Sequence, residues 1–245
     1  LGALSSTKDV GIYDQALKLI NILLTLVTSL GSVMLPRVSN LLSSGNKKAV
    51  NKLHEMSFLV YNLVIFPMIA GILIVNNDFV QFFLGKDFQD ARYAIAIMVF
   101  RMFFIGWTNI MGIQILIPHN RNREFMLSTT IPAIFSVGLN LILIPPLGYI
   151  GASIVSVVTE GLVWLIQLYF TSDYLKEVKI LPSMLKILLA AFLMYGALYF
   201  IKTFINFSSV VNVLICSVLG FLVYGGLVLI LRILDFQELK SIIKK

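Results

Sequence analysis

Charge is scarce in this sequence. Asp, Glu, Lys and Arg together make up 13% of its 245 residues, whereas a soluble domain carries about 25%. Hydrophobic residues make up 58% and gather in long runs, which excludes a soluble domain and predicts a polytopic membrane protein. The formal net charge is +7, but the basic residues are scattered over short loops, so we expect no nucleic-acid partner.

Cysteine and histidine are also nearly absent. The single cysteine, Cys216, lies inside an apolar run, which excludes a disulfide framework and a cysteine-based metal site. His54 and His119 stand in basic loops without a second ligand at metal spacing. Because no glycine-rich phosphate loop and no Ser/His/Asp set is present either, we expect no cofactor and no enzyme. The chain opens with neither Met nor a basic segment, which favours an internal or C-terminal fragment.

Seven apolar runs are long enough to cross a hydrocarbon core of about 30 Å as helices. They cover approximately residues 10–35, 56–75, 91–116, 125–144, 149–171, 185–205 and 210–231. We expect Pro36, Asn76 and Pro118 to end the first three runs, and residues 78–85 to form a short interfacial elbow. The predicted fold class is all-α, a polytopic transmembrane helix bundle.

The turn between the fourth and fifth runs carries the strongest local signal. Pro145 and Pro146 end one run, and Gly148 and Gly151 allow a turn and close packing before the next begins. The pattern predicts a hairpin of two membrane helices. Glu160 then lies roughly 16 Å into the second arm, near the middle of the membrane.

Polar residues recur at helical spacing on three runs. The first run has Asp14, Lys18, Asn21, Thr25, Thr28 and Ser32. The third run has Arg101 and Thr108, and the fifth has Tyr149, Ser153, Ser156, Glu160, Gln167 and Thr171. At 100° per residue, the six on the first run stay within about ±40° of one line. The last two runs have almost no polar stripe, so we expect them to face lipid or an apolar groove.

Basic residues divide unequally between the two sides of the membrane. If the loops alternate sides, one set holds 13 of the 19 Lys and Arg and the opposite set holds 4. The positive-inside rule then places the first residues outside and the C-terminus in the cytoplasm. The three charges of Lys18, Arg101 and Glu160 fall at one depth, roughly 12 to 17 Å below the outer face.

A charge at this depth is costly and normally faces a bundle interior or a water-filled cavity. Lys18 and Arg101 therefore predict a basic cavity for an anionic substrate, and Asn21, Thr25 and Gln167 are suited to binding a sugar. Glu160, with Asn140 and Ser156 from the hairpin, could balance these cations or carry a coupling H⁺ or Na⁺. Two structural alternatives stay open: Glu160 pairs with Lys18 or Arg101 only to hold helices together, and Asp14 pairs locally with Lys18.

Three stretches resemble a known family: SSTKDVGIYDQALKLIN, VMLPRVSNLLSSGN and NLILIPPLGYIGASIVSVVTE. They are similar to the second half of bacterial polysaccharide flippases of the Wzx type, in the multidrug/oligosaccharidyl-lipid/polysaccharide exporter superfamily. The resemblance implies two six-helix lobes, often followed by two extra helices, around a basic cavity. It also implies alternating-access transport of undecaprenyl-diphosphate-linked oligosaccharide across the bacterial plasma membrane, for capsule, exopolysaccharide or O-antigen synthesis.

The same resemblance implies a division of the chain. Residues 1–9 would end a truncated helix, 10–172 would form the second lobe, 173–234 the two extra helices and 235–245 a cytoplasmic amphipathic tail. The expected partners are the lipid-linked oligosaccharide, membrane lipid and a missing N-terminal lobe of the same protein.

Other functions stay as alternatives. Within the superfamily, a lipid II flippase is possible, as is a multidrug antiporter, although drug exporters usually have acidic cavities. A membrane glycosyltransferase or polysaccharide polymerase would need a large outer loop with clustered carboxylates, and the longest outer loop here, about residues 76–90, is too short. A purely structural membrane subunit is the remaining alternative.

Overall fold

The computed structural model describes residues 1–204 and 208–234. Its helices are α1 (Thr7–Ser43), α2 (Lys47–Phe83), α3 (Ala91–Met98), α4 (Arg101–Thr108), a π-helical segment (Asn109–Leu116), α5 (Asn122–Leu175), α6 (Leu181–Phe204) and α7 (Ser209–Ile230), with a short 3-10 turn at Lys86–Phe88. Among the residues so described there is no strand, so the all-α prediction is confirmed. The predicted tail and the last residue of the sixth predicted run, Ile205, lie outside the described residues.

Within the described residues, six stretches of helix are long and apolar enough to cross a membrane, and α3, α4 and the π-helical segment together make one of them. The longest, α5, is sharply bent at Gly148, whose φ of 55° and ψ of −130° are not helical. A glycine is required because this backbone conformation has a positive φ. The bend divides α5 into two arms, residues 122–147 and 149–175, so the described part of the chain has seven apolar arms, as predicted.

The two arms of α5 run antiparallel, as the predicted hairpin requires. Gln167 Nε2 donates to Ser128 Oγ at 3.1 Å, and Arg121 Nη1 donates to the carbonyl of Phe170 at 2.6 Å. Near the bend the arms touch directly, because a Cβ on Gly151 would overlap the carbonyl oxygen of Leu143. The small residue therefore permits the close approach of the two backbones.

Several predicted ends are wrong. Helix α1 continues through Pro36 to Ser43, and α2 continues past Asn76 to Phe83, so the predicted elbow is largely helical. Tertiary contacts outweigh these local stop signals. Beyond Pro36, Val38 is buried against α2, and the side chain of Asn76 donates to the carbonyl of Arg92 at 2.7 Å instead of ending the helix.

The core lies between α1, α2 and the third span, Ala91–Leu116, which consists of α3, α4 and the π-helical segment. Helix α1 buries one face, with buried residues at helical spacing: Ile12, Ala16, Ile20, Leu24 and Val27. The last turns of the third span, residues 110–116, are almost wholly buried, and its Gly106 packs against Ile65 and Tyr61 of α2. This arrangement leaves the opposite, polar face of α1 exposed.

Helices α6 and α7 pack on α2. Lys202 near the end of α6 forms an ion pair with Asp78 of α2, and Tyr224 of α7 donates to the carbonyl of Leu63 at 2.8 Å. Two small apolar clusters fill the space between these three helices. The two C-terminal helices are thus attached along one side of the bundle, away from α1.

Candidate functional site

An ion pair joins the third span to the second arm of α5. Arg101 begins α4, and its Nη2 lies 3.2 Å from Oε1 of Glu160. The two side chains are 13% and 24% exposed, so the pair is largely sheltered. Two further guanidinium nitrogens of Arg101, Nε and Nη1, are buried without a hydrogen-bond partner. The arginine therefore keeps donor capacity that Glu160 does not use.

Lys18 does not join this pair. Its Nζ lies 2.7 Å from Oδ2 of Asp14 on the same helix, and the two side chains are 62% and 49% exposed. Asn21 and Thr25 lie on the same exposed face of α1. Of the alternatives left open by the sequence, the structure contains the local pair between Asp14 and Lys18. A cavity lined by both Lys18 and Arg101 stays a prediction.

The other two residues predicted beside Glu160 are Asn140 and Ser156. Asn140 Nδ2 donates to the carbonyl of Ser136 in its own arm at 2.8 Å. Ser156 is half-buried one turn before Glu160 on the second arm. The carboxylate therefore meets the Arg101 guanidinium rather than the amide and hydroxyl that were expected.

A polar cleft of about 380 Å³ opens beside the ion pair, between the third span and both arms of α5. It is lined by Ile105, Thr108, Asn109, Ile113, Phe125, Thr129, Ala133, Thr159, Glu160, Val163 and Gln167. Of the residues predicted to bind substrate or ion, Glu160 and Gln167 line this cleft. Gln167 is buried, and its Oε1 has no hydrogen-bond partner.

Sequence reasoning missed Asn109 and Thr159. Asn109 begins the π-helical segment, and its Oδ1 accepts a hydrogen bond of 2.7 Å from the hydroxyl of Tyr61. It packs so closely on α1 that a Cβ on Gly31 would overlap its Oδ1. The signal that could have found Asn109 was an amide in the middle of an apolar run, one residue beyond Thr108.

A row of hydrogen bonds from α2 supports this wall of the cleft. His54 Nε2 lies 3.1 Å from the carbonyl oxygen of Gln114, Ser57 Oγ donates to Oε1 of Gln114 at 2.7 Å, and Trp107 Nε1 donates to Oδ1 of Asn62 at 2.9 Å. With the Tyr61 bond they hold the π-helical segment, a wide turn that often occurs at functional sites.

The histidines belong to structural contacts. The prediction that His54 stands in a loop is wrong, because it is buried within α2. His119 lies in the turn before α5, with its ring 4.3 Å from that of Tyr174. No group of three or more side chains suited to a metal ion occurs in the part of the chain that the structure describes.

An apolar groove of about 500 Å³ lies on the other side of α4, between α2 and α6. It is lined by Phe66, Ile69, Ala70, Leu73, Phe100, Phe103, Phe104, Met184, Leu188, Ala191, Phe192 and Tyr195. The third span therefore borders both the polar cleft and the apolar groove. Phe104 of the groove also packs against Gly161, the residue after Glu160.

A family model described as "Polysaccharide biosynthesis protein" matches residues 1–93. An uncharacterized membrane protein of Methanocaldococcus jannaschii is 27% identical over 232 residues, which are 95% of this chain and 45% of the relative. The "Probable low-salt glycan biosynthesis flippase" of Haloferax volcanii is 22% identical over 216 residues, 88% of this chain and 45% of that protein.

A solved structure titled "Lipid II flippase MurJ, inward closed conformation" superposes with a TM-score of 0.77 at 18% identity. The match covers 91% of this chain and 47% of the flippase. The chain shares the fold of about half of that transporter. It is a multi-pass membrane protein and spans less than half the length of each relative that it matches.

Proposed function

We propose that this chain is part of a membrane transporter, not an enzyme, that flips a lipid-linked saccharide across the membrane by alternating access. Its likeness to a glycan biosynthesis flippase and to the fold of a lipid II flippase supports this proposal, as does the match to a polysaccharide biosynthesis model. The portion of the relatives that this chain does not cover would supply the facing wall of the transport path.

The proposal depends above all on the position of the polar cleft beside the apolar groove, with the third span between them. A lipid-linked saccharide has a hydrophilic head and a long hydrocarbon tail. One helix that borders both environments can accompany the head through the bilayer while the tail stays in an apolar groove. A soluble sugar would have no use for the groove.

Arg101 is the residue that we propose for the anionic link between saccharide and lipid. Its buried Nε and Nη1 have no partner, and a guanidinium can bind phosphate with two donors at once. Lys18, Asn21 and Thr25 form the exposed polar face of α1 and would contact the head group only when the facing wall closes over them. This division of roles is a proposal for the transport cycle.

We further propose a plasma-membrane location with the C-terminal end of α7 on the cytoplasmic side. The unequal distribution of Lys and Arg between the two sets of loops supports this orientation. The two relatives come from different organisms and are only 27% and 22% identical to this chain, so they do not identify its host. We therefore propose the lipid carrier only as a polyprenyl diphosphate. Undecaprenyl diphosphate is the carrier that the sequence resemblance implies.

Reconstitution tests the function directly. The full-length protein that contains this sequence is placed in liposomes with a polyprenyl-diphosphate-linked oligosaccharide, and an impermeant oxidant of vicinal diols is added outside. We expect the protein to make the inner pool of saccharide accessible, and Arg101→Gln to slow this strongly. Arg121→Gln, which breaks a pair of similar geometry outside the cleft, is the matched control. A folded wild-type protein that leaves the inner pool protected would refute the proposal.

A further inference from the structure

In the polar cleft, hydrogen-bond acceptors outnumber hydrogen-bond donors. Three threonines line it, and each hydroxyl already donates to its own helix: Thr108 to Ile105, Thr129 to Met126 and Thr159 to Val155, at 3.2, 2.9 and 2.7 Å. A hydroxyl whose proton is already engaged in one hydrogen bond still has lone pairs, so it can only accept further hydrogen bonds. The three threonines therefore present acceptors to the cleft.

The remaining polar groups strengthen this bias. Glu160 is a carboxylate and accepts only. Gln167 donates one amide N–H to Ser128, and its buried Oε1 has no partner. Asn109 is the exception, because its Oδ1 is held by Tyr61 and its amide nitrogen is left as a donor. The lining contains no lysine or arginine. The cleft thus offers five side chains with acceptor oxygens, against two amide groups, those of Asn109 and Gln167, that still have an N–H to donate.

Such a wall needs a ligand that donates hydrogen bonds. Sugar hydroxyls donate as well as accept, whereas a phosphate or a carboxylate at neutral pH can only accept. An acidic sugar would also bring a second negative charge beside the carboxylate of Glu160. That carboxylate is 24% exposed and meets Arg101 through Oε1, so water and the guanidinium offset the repulsion only in part. Acceptors facing acceptors would leave buried groups unpaired, which is costly.

We propose that this cleft receives an uncharged, hydroxyl-rich sugar of the transported head group and that Glu160 makes it discriminate against uronic and other acidic sugars. The proposal rests on the flippase function proposed above and adds the chemical class of the saccharide. It also separates two tasks in the site. The anionic link meets Arg101 at the edge of the cleft, and the sugar meets the acceptor wall beyond it.

The test compares two polyprenyl-diphosphate-linked saccharides that differ only at C6 of one sugar, a hexose and the corresponding uronic acid. Both contain vicinal diols, so the oxidant assay in liposomes reports both with the same chemistry. We expect the wild-type protein to flip the neutral compound at least roughly tenfold faster, because like charges brought together at a binding site give strong discrimination. Glu160→Gln should bring the two rates close together.

Two further variants keep the test independent of the ion pair. Thr159→Val removes one acceptor without a change of shape and should slow the neutral compound more than the acidic one. Glu124→Gln breaks the Arg121 pair outside the cleft and should leave the ratio of rates unchanged. If Glu160→Gln does not fold, the Thr159 variant and the wild-type ratio decide the question.

The possible failures are distinguishable. Equal wild-type rates for the two saccharides would overturn the inference and leave the flippase function standing. Protection of both saccharides in a folded protein would overturn the function itself, and the inference with it. Five oxygen acceptors could also bind a hard cation, so the assay is repeated with K⁺ in place of Na⁺. If the preference for the neutral saccharide is lost when K⁺ replaces Na⁺, the cleft holds an ion rather than a sugar.

Discussion

Lys202 and Asp78 form an ion pair at the end of α6 and α2, with Nζ 2.5 Å from Oδ2 and side chains 28% and 11% exposed. The ammonium group also donates to the carbonyl of Ile74 at 2.7 Å, and Asn212 of α7 donates to Oδ1 of Asp78 at 3.2 Å. One carboxylate thus joins three helices. The buried Cys216 lies one helical turn beyond Asn212 on α7, which makes a native probe of this junction available.

We predict that Lys202→Met loosens the C-terminal helices. Removal of one partner leaves an uncompensated carboxylate, at a cost of about 3 kcal/mol for a buried pair, and Cys216 should then react faster with a thiol reagent. Lys8→Met, which breaks the exposed pair with Asp90, serves as the control. The double change Asp78→Asn with Lys202→Met should slow the reaction again, and unchanged labelling in the single variant would contradict the prediction.

This junction also shows where sequence reasoning fails. Asn76 and Asp78 look like the end of a membrane helix, and the local pattern predicts a stop there. The partners that keep them helical, Arg92 and Lys202, lie 16 and 124 residues further along the chain. Such contacts are set by tertiary packing, which no local pattern contains. The hairpin at Gly148 could be predicted because its prolines and glycines are local signals.

For the charged residues within the membrane, the sequence predicts the depth but not the contacts. Depth in the membrane follows from the helical rise, so the sequence could place Lys18, Arg101 and Glu160 at one level. The direction in which each side chain points relative to other helices does not follow from the rise. Glu160 meets Arg101, whereas Lys18 stays on the exposed face of α1 with Asp14. The π-helical segment adds to the difficulty, because its wider turns shift the faces that a regular period predicts.

The contact between Gly31 and Asn109 leads to a second prediction. Because a Cβ at position 31 would overlap Oδ1 of Asn109, Gly31→Ala should displace this amide and break its bond to Tyr61. We expect a loss of about 1–3 kcal/mol in unfolding free energy, as for other overpacked sites, together with slower transport. Gly71→Ala is the matched control, since its Cβ would meet nothing within 4 Å.

The stability part of this prediction is tested by the thermal midpoint of each glycine variant. The fluorescence of Trp107, which is buried, and of Trp164, which is partly buried, follows the unfolding. Gly71→Ala should be neutral or slightly stabilising, because alanine favours a helix by up to about 1 kcal/mol over glycine. Equal midpoints for the two variants would mean that α1 yields at position 31 without disturbing Asn109. Tyr61→Phe should reproduce the transport defect with a smaller change in stability.

The membrane orientation gives a third prediction. In a Cys216→Ser background, a cysteine at position 44 should be shielded from an impermeant thiol reagent added outside intact cells, whereas one at position 208 should react. Ser44 and Ser208 are both exposed, so the comparison reports the side of the membrane and not burial in the protein. The opposite labelling pattern would reverse the orientation that the basic residues predict.

The last prediction separates the two roles that Glu160 could have in the same pair. If its charge neutralises Arg101, Glu160→Gln leaves a largely buried guanidinium unpaired, which should cost roughly 1.5–3 kcal/mol. Adding Arg101→Gln should then recover most of the stability, since both charges are gone. The measurement is a double-mutant cycle on thermal stability, and additive losses would show that the pair contributes nothing.

The second role is the proposed coupling of transport to H⁺ or Na⁺. A membrane potential supplies about 2.3 kcal/mol per elementary charge per 100 mV, enough to bias the exchange between inward and outward states. We expect the single variant Glu160→Gln, which keeps Arg101 for the anionic link, to transport at a rate that no longer responds to an imposed ion gradient. The neutral saccharide serves as substrate, so that charge discrimination does not enter the comparison. An undiminished response to the gradient would rule out coupling through Glu160 and leave the carboxylate as the partner of Arg101 and a wall of the cleft.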